Sequence, residues 1–334
     1  MLDLQTAVTR LKSNDVIAFP TETVYGLGAR IGSEAAIQKI FSTKERPFFD
    51  PLIVHVSSIQ QAQSCFLMWN DIADTLAKHF WPGPLTLVMK KNNAILDLIT
   101  SGLENVGVRI PAHPLARLLI EQVGEPIAAP SANKFGKTSP TKAEHVISEF
   151  GENVGVLDGA GYENCQVGIE STVLLVREDR QISILRRGGV LKSEIDQVLN
   201  KNKIQFSWFE ATDKKEAPGH MKHHYMPSIP FVVCRNPQMK LSELGQILND
   251  KLSSLPDEVE GVRIVKPKGR IEKIEFLKLS TDAHQAAREL YSQLRAASSR
   301  NPQALCFIQL PHHSSEMWES LFDRLYKAAS LIID

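Results

Sequence analysis

The sequence has no apolar run near the roughly 18 residues that a bilayer crossing needs. Its N-terminus, MLDLQTAVTRLKSND, lacks the basic, apolar and small-residue succession of a secretory signal. A cytoplasmic protein without membrane association is therefore expected. Cysteine is scarce, and Cys65, Cys165, Cys234 and Cys306 are scattered without a CxxC pair or matching histidine spacing. That pattern argues against a disulfide framework and a zinc site and reads as four buried structural thiols. An excess of one charge is also missing, since 38 Lys and Arg face 38 Asp and Glu. The electrostatic footprint of a dedicated nucleic-acid binder is thus lacking, and no direct nucleic-acid binding is required. No repeat recurs at a fixed period, and no GxGxxG follows a strand pattern. The segment SANKFGKT comes one residue short of a P-loop, with Ser131 in place of the opening glycine and Pro140 where the helix should begin.

What is present is the composition of an ordinary globular chain, 43% hydrophobic and 23% charged, over 334 residues. That length favours two domains. Short apolar runs over 16–19, 52–56, 85–89, 106–110 and 127–129 read as strands, and the amphipathic stretches 33–41, 72–80 and 115–123 as helices. Further strands at 154–157, 172–176 and 182–185 have little helix between them, so the sheet is expected to be mixed. The pattern predicts a twisted mixed-sheet α/β domain over 1–204, an inter-domain linker over 205–230, and a smaller, Rossmann-like α/β domain over 231–334. In the last, strands are expected at 231–234, 262–265, 276–279 and 305–309, with helices at 241–252, 283–298 and 316–331. The linker carries His220, His223 and His224, which lack accompanying cysteines or carboxylates and read as solvated rather than metal-binding.

The residues that could do chemistry sit where strands end. The strand at 16–19 runs into Thr21, Glu22, Thr23 and Tyr25 before Gly26 and Gly28, more polar groups than a turn requires. Lys44 and Arg46 close a helix before Pro47, where they either compensate the helix dipole or converge on a polyphosphate. His55 ends the next strand. Arg109, flanked by Val108 and Ile110, needs an anionic partner, either an internal carboxylate or a bound one. Ser131 and Asn133 follow the strand at 127–129, while Glu170, Ser171 and Thr172 open another and Arg186 ends one before two glycines. Together, Lys44, Arg46, Arg109 and Arg186 suggest a focused anionic pocket in a neutral protein. No nucleophile, triad or carboxylate pair stands out, so charge neutralisation and positioning are the available catalysis, as in phosphoryl and nucleotidyl transfer.

The motifs FPTETVYGLGA, KERPFFDPLIVHV, WPGPLTLVM, VGVRIP, PIAAPSANKFGKTSPT and GIESTVLL, in that order, resemble the threonylcarbamoyl-AMP synthase family, also called YrdC-like, over roughly residues 10–190. The segment APGHMKHHYMP resembles the connection to a second domain in its long form, and the C-terminal residues match more loosely, as at LFDRLYKAAS. The resemblance implies a nucleotidyltransferase that joins L-threonine, bicarbonate and ATP, with Mg2+ accompanying ATP, into threonylcarbamoyl-AMP and pyrophosphate. The product would feed the transferase machinery that makes threonylcarbamoyladenosine (t6A) beside the tRNA anticodon. It further implies that Thr23, His55, Arg109, Ala129 and Ser171 hold threonine. Arg46, Asp50, Asn105, Ser131, Asn133, Ser139 and Arg186 would meet ATP, with Lys44 and Arg46 catalytic. Asp50 stands where some relatives carry Asn, and Lys222 takes the column of a linker tyrosine, so Lys222 or His223 is expected to face the triphosphate. Two rivals are an RNA-binding protein and a carbamoyltransferase of the hydrogenase-maturation type, the latter disfavoured by the lack of CxxC pairs and spare length.

Overall fold

The computed structural model describes residues 1–159, 161–162, 165–211 and 221–334. Two units result: Met1–Lys134 with the described part of Pro140–His220, and Phe135–Ser139 with Met221–Asp334. Of the expected linker, residues 212–220, including His220, lie outside the described residues.

The first unit holds strands β1 Ile17–Phe19, β2 Gly26–Arg30, β3 Ile53–His55, β4 Leu85–Lys90, β5 Asn105–Arg109, β6 Ile127–Ala129, β7 Gly155–Val156, β8 Thr172–Val176, β9 Gln181–Arg186 and β10 Ser207–Trp208. They form one ten-stranded sheet in the order β10-β9-β8-β4-β5-β3-β6-β2-β1-β7. Its pairing is mixed, with β3 parallel to β5 but antiparallel to β6, and β4 parallel to β8 but antiparallel to β5. The helices are α1 Leu4–Lys12, α2 Glu34–Lys44, α3 Ile59–Cys65, α4 Asp71–Phe80, α5 Asp97–Thr100, α6 Pro114–Val123, α7 Ala143–Phe150 and α8 Lys192–Lys201.

Alternation along the strands separates the two faces. Val54, Leu87, Val108 and Leu174 join Ile37, Ile40 and Phe41 of α2 and Ile72 and Leu76 of α4 in the main core. Each such fully buried aliphatic side chain contributes on the order of 1.5–3 kcal/mol. The opposite face presents Ile53 and His55, Gly107 and Arg109, and Ile127 and Ala129 in adjacent register. Part of it is covered by α1 and α6, whose Leu11, Leu119 and Ile120 pack on Ile17, Phe19 and Ile127. The rest carries the polar groups described below.

The second unit contains β11 Phe231–Cys234, α9 Leu241–Leu252, β12 Glu258–Val259, β13 Val262–Arg263, β14 Ile274–Phe276, α10 Ala283–Ser299, β15 Ala304–Ile308, α11 Glu316–Ala328 and β16 Leu331–Ile333. Four of its strands make an all-parallel sheet in the order β14-β15-β11-β16. Leu244, Leu248 and Leu252 of α9 cover one face through Val232, Cys234, Ala304 and Cys306. On the other, Phe307 stacks with Trp318 of α11.

Several expected boundaries move. The final helix, expected over 316–331, stops at Ala328, and Leu331–Ile333 becomes a strand because β11 offers it a parallel edge. The strand expected at 262–265 shrinks to half of a two-residue hairpin with β12, and that at 276–279 shifts to Ile274–Phe276. Ser207–Trp208 of the segment expected as linker pairs with β9. His224, expected to be solvated, is buried edge-on to Tyr225 with ring centroids 4.2 Å apart.

Candidate active site

The first cluster forms around the end of β5. Thr21 closes the loop after β1, its hydroxyl donating to the Val24 carbonyl at 2.6 Å and accepting from the Val24 amide at 3.2 Å. Its oxygen also lies 2.8 Å from the Thr23 hydroxyl. The loop is clamped from outside, where the Cys165 and Val167 amides donate to the carbonyls of Thr21 and Glu22 at 3.0 and 2.8 Å. Arg109 reaches into this loop and donates from Nη2 to the hydroxyls of Thr21 at 3.3 Å and Thr23 at 3.0 Å. Glu22 accepts from the Ala112 amide at 3.0 Å, and its other oxygen stands 3.6 Å from Arg109 Nη1. The sequence left open whether Arg109 pairs with an internal carboxylate or a bound one, and Glu22 is the internal partner.

That pairing is incomplete. Arg109 Nε and Glu22 Oε1 are buried with no hydrogen-bond partner, a costly condition in a low-dielectric site. Burial depresses the Arg109 pKa first, Glu22 opposes that, and the nearby charge of Arg186 adds to it. Burial and the Arg109 charge also drive the pKa of His55, opposite Arg109 in the β3–β5 register, well below its ordinary value, so the imidazole is neutral. Its Nδ1 lies 3.1 Å from the Ile53 carbonyl, and its ring meets Phe19 edge-on. Burial likewise raises the Cys165 thiol, with Glu22 adding and Arg109 opposing, so the protonated form prevails.

Ser171 joins the cluster from the mouth of β8. Arg186 Nη2 donates to its carbonyl at 3.1 Å and its hydroxyl at 3.3 Å. The same hydroxyl lies 2.8 Å from that of Thr86, a fully buried threonine in β4. Thr86 was not singled out from the sequence. Its signal was a lone hydroxyl within the apolar strand LTLVM, which in a strand buried on both faces needs a polar partner.

The second cluster lies toward the start of β3 and β5. Asn105 begins β5, four residues from Arg109, or about 13 Å along the strand. Between them the floor is low, with Gly107 beside Ile53 and Ala129. A side chain at Gly26 would approach the Ala129 methyl to 3.3 Å. Lys44 ends α2, whose N-cap Ser33 accepts from the Ala36 amide and whose C-cap Glu45 adopts a left-handed φ of 53°. The reversal at Glu45 sends Lys44 and Arg46 to different partners. The Lys44 ammonium donates to the carbonyls of Ser131, at 2.6 Å, and Asn133. Arg46 donates from Nη2 to the carbonyls of Asp50 and Pro51 at 3.0 and 2.9 Å, and pairs with the Asp50 carboxylate at 2.9 Å. Burial pushes the Lys44 pKa well below its usual value, with Arg46 adding and Asp50 opposing.

Ser139 and Lys222 belong to the second unit. Ser139 is buried, while Lys222 is exposed, with its amide donating to Glu260 at 2.9 Å. Half-buried His223 has its pKa lowered, first by burial and then by Lys222. Among the described residues, no group of three or more His, Cys, Asp or Glu could hold a metal ion, and no helix is long and apolar enough to cross a membrane.

Fold and site together define an α/β protein whose wide mixed sheet carries several buried cations near its strand ends, one of them, Arg109, with its Nε unpartnered, an arrangement suited to small anionic ligands. Residues 9–188 match the family described as telomere recombination, and 190–330 the one described as threonylcarbamoyl-AMP synthase, C-terminal domain. The chain is 42% identical to a threonylcarbamoyl-AMP synthase of Bacillus subtilis over 72% of its own length and 69% of the relative's. It is 38% identical to that of Pyrococcus abyssi over 85% and 82%. The structure of Pyrococcus abyssi Sua5 in complex with L-threonine is 30% identical, with a TM-score of 0.78 over 99% of this chain and 96% of that one. A doubly substituted form of the same protein gives 0.81 at 32% identity, over 99% and 94%. The chain belongs to the threonylcarbamoyl-AMP synthase family, in its two-domain form.

Proposed function

We propose that this protein is an L-threonylcarbamoyladenylate synthase, a nucleotidyltransferase that makes threonylcarbamoyl-AMP and pyrophosphate from L-threonine, bicarbonate and ATP. The observation that carries the reading is Arg109, a buried guanidinium tied to Thr21 and Thr23 with its Nε unpartnered, in a chain related to a protein solved with L-threonine. A threonine carboxylate would complete the charge balance that Glu22 leaves open. Thr23, His55, Ala129 and Ser171 would line the rest of the amino-acid site. Arg46, Asp50, Asn105, Ser131, Asn133, Ser139, Arg186 and Lys222 would serve the nucleotide.

In this reading the threonine amine attacks the carbon of carbon dioxide, supplied by bicarbonate, forms the C–N bond and loses a proton. One carbamate oxygen then bonds to the α-phosphorus of ATP as the bond to the β-phosphate oxygen breaks, and pyrophosphate leaves with that electron pair. Lys44 and Arg46 would oppose the charge on the phosphates, and Mg2+ enters with ATP as part of the substrate. Lys44, holding the carbonyls of Ser131 and Asn133, would also keep that nucleotide-facing segment in place. Such a cytoplasmic enzyme would supply the transferase machinery that forms t6A next to the tRNA anticodon.

The test is pyrophosphate release with ATP, magnesium and bicarbonate, comparing threonine with serine and with no amino acid, and weighing the product by mass spectrometry. Threonine-dependent release of the carbamoylated adenylate is the expected result. If ATP binds yet no amino acid provokes release, the assignment fails, and RNA affinity with a steep salt dependence would be the next property to measure.

A further inference from the structure

The second unit holds a feature that the synthase reading does not use. Strand β14 lies at the edge of the parallel sheet and, among the described residues, pairs only with β15. The Glu272 and Lys273 amides both donate to the Gln303 side chain, at 3.0 and 2.8 Å, and beyond them the Leu277 amide donates to the Cys306 carbonyl at 2.8 Å, so in the ladder with β15 the amides of Glu275 and Leu277 turn inward. By the alternation of a parallel ladder, the amides and carbonyls of Ile274 and Phe276 face outward. Over Ile274–Phe276 they offer about 10 Å of strand edge.

Beside this edge lies a cavity of about 950 Å3 between β14 and the last turns of α10. Its floor includes the buried Ala297 and Leu305, while Lys273 and Lys278 stand exposed near the two ends of the strand. Arg300 lines it as well, paired with Glu275. Three cations against one carboxylate leave the lining two charges positive.

We propose that this groove binds an acidic, extended segment of a protein partner, which adds as a strand to β14. An outward ladder of N–H and C=O groups is matched by another backbone at strand spacing. The small apolar floor takes alternate side chains, and the net positive lining favours carboxylates on the incoming strand. A nucleic-acid backbone presents phosphates and sugars, which do not satisfy that alternation of donors and acceptors, so the geometry favours a peptide over RNA.

The experiment uses the full chain and three fluorescein-labelled probes: a nonapeptide of alternating Glu and Val, its Lys-for-Glu counterpart, and a uridine nonamer. Anisotropy measures affinity, and hydrogen exchange reads the amides of residues 274–278. The acidic peptide is expected to bind at least tenfold more tightly than the basic one and to slow exchange at Ile274 and Phe276. The pair Lys273→Glu and Lys278→Glu should weaken it at least tenfold at unchanged melting temperature. Phe276→Pro, placed where the lost amide faces outward, should abolish the protection. If that variant unfolds, exchange in the unaltered chain and the charge-reversed pair decide. Equal affinity for the basic peptide, preference for the uridine probe, or no slowing of these amides at saturating acidic peptide would overturn the proposal.

Discussion

Arg109 and Glu22 are both buried, yet their closest charged atoms stand 3.6 Å apart, because Glu22 is held by the Ala112 amide and Arg109 by the hydroxyls of Thr21 and Thr23. The guanidinium is therefore positioned by neutral groups and left with attraction to spare. In the proposed reading such a cation would take a second carboxylate, and its unpartnered Nε costs stability without one.

Arg109→Lys keeps the charge but loses the planar fork that spans two hydroxyls and a ligand. Threonine kcat/KM is expected to fall about 100-fold, equivalent to about 2.7 kcal/mol. The loss should appear mainly in the threonine KM, with ATP binding by calorimetry little changed. A lysine variant with ordinary threonine KM would remove Arg109 from the amino-acid site.

Arg46→Ala deletes a buried cation and strands the Asp50 carboxylate, whereas Lys39→Ala removes a half-exposed group paired with Asp15 at the surface. The first should lower kcat/KM for ATP by at least tenfold more than the second, because exposed pairs contribute only about 0–1 kcal/mol. Steady-state kinetics with both proteins at matched folded fraction check this, and comparable losses would contradict the role assigned to Arg46.

His313 in the second unit stacks on Trp318 with centroids 4.0 Å apart, and its Nδ1 accepts from the Leu310 amide at 3.1 Å. Burial, with His312 adding, pushes its pKa down to about 4. The unfolded chain titrates near 6.5 and so takes up the proton first as pH falls. Stability is thus fully present above pH ~6.5 and declines toward pH ~4. Calorimetric melting from pH 7 to 4 should show a shallower decline for His313→Gln than for the unaltered chain, and parallel curves would count against it.

Gly28→Ala places a Cβ 2.6 Å from the Phe19 ring and 2.8 Å from Ile127. Overpacking of this kind costs about 1–3 kcal/mol, and a melting temperature lower by several degrees is expected. An unchanged melting temperature would show that Phe19 yields freely, contrary to its packing against α1 and α6.

Much of this arrangement is legible in local pattern. The apolar runs at 52–56, 106–110, 127–129 and 172–176 coincide closely with β3, β5, β6 and β8, because short β-branched runs have few other ways to bury both faces. The polar ends of those runs and of the run at 16–19 pointed to Thr23, His55, Arg109 and Ser171. Other elements left no such signal. β2 reads GLGAR and is weak in strand propensity, yet it forms because Phe19 and Ile127 close over its glycines. Leu331–Ile333 continues a helical apolar pattern and becomes a strand only because β11 has an edge to pair.

Chain order and side-chain chemistry alone thus determine the α/β class, the strand-end placement of the polar groups and the family to which the motifs belong, since periodicity and motif spacing are local properties. Which partner each charge takes is decided by tertiary structure. Lys44 reaches carbonyls 87 and 89 residues away, Arg109 meets Glu22 across the sheet, and Thr86 finds Ser171 85 residues later. The reason is physical: a buried polar group must be satisfied by whatever the fold brings within about 3 Å, and no local pattern encodes that neighbour.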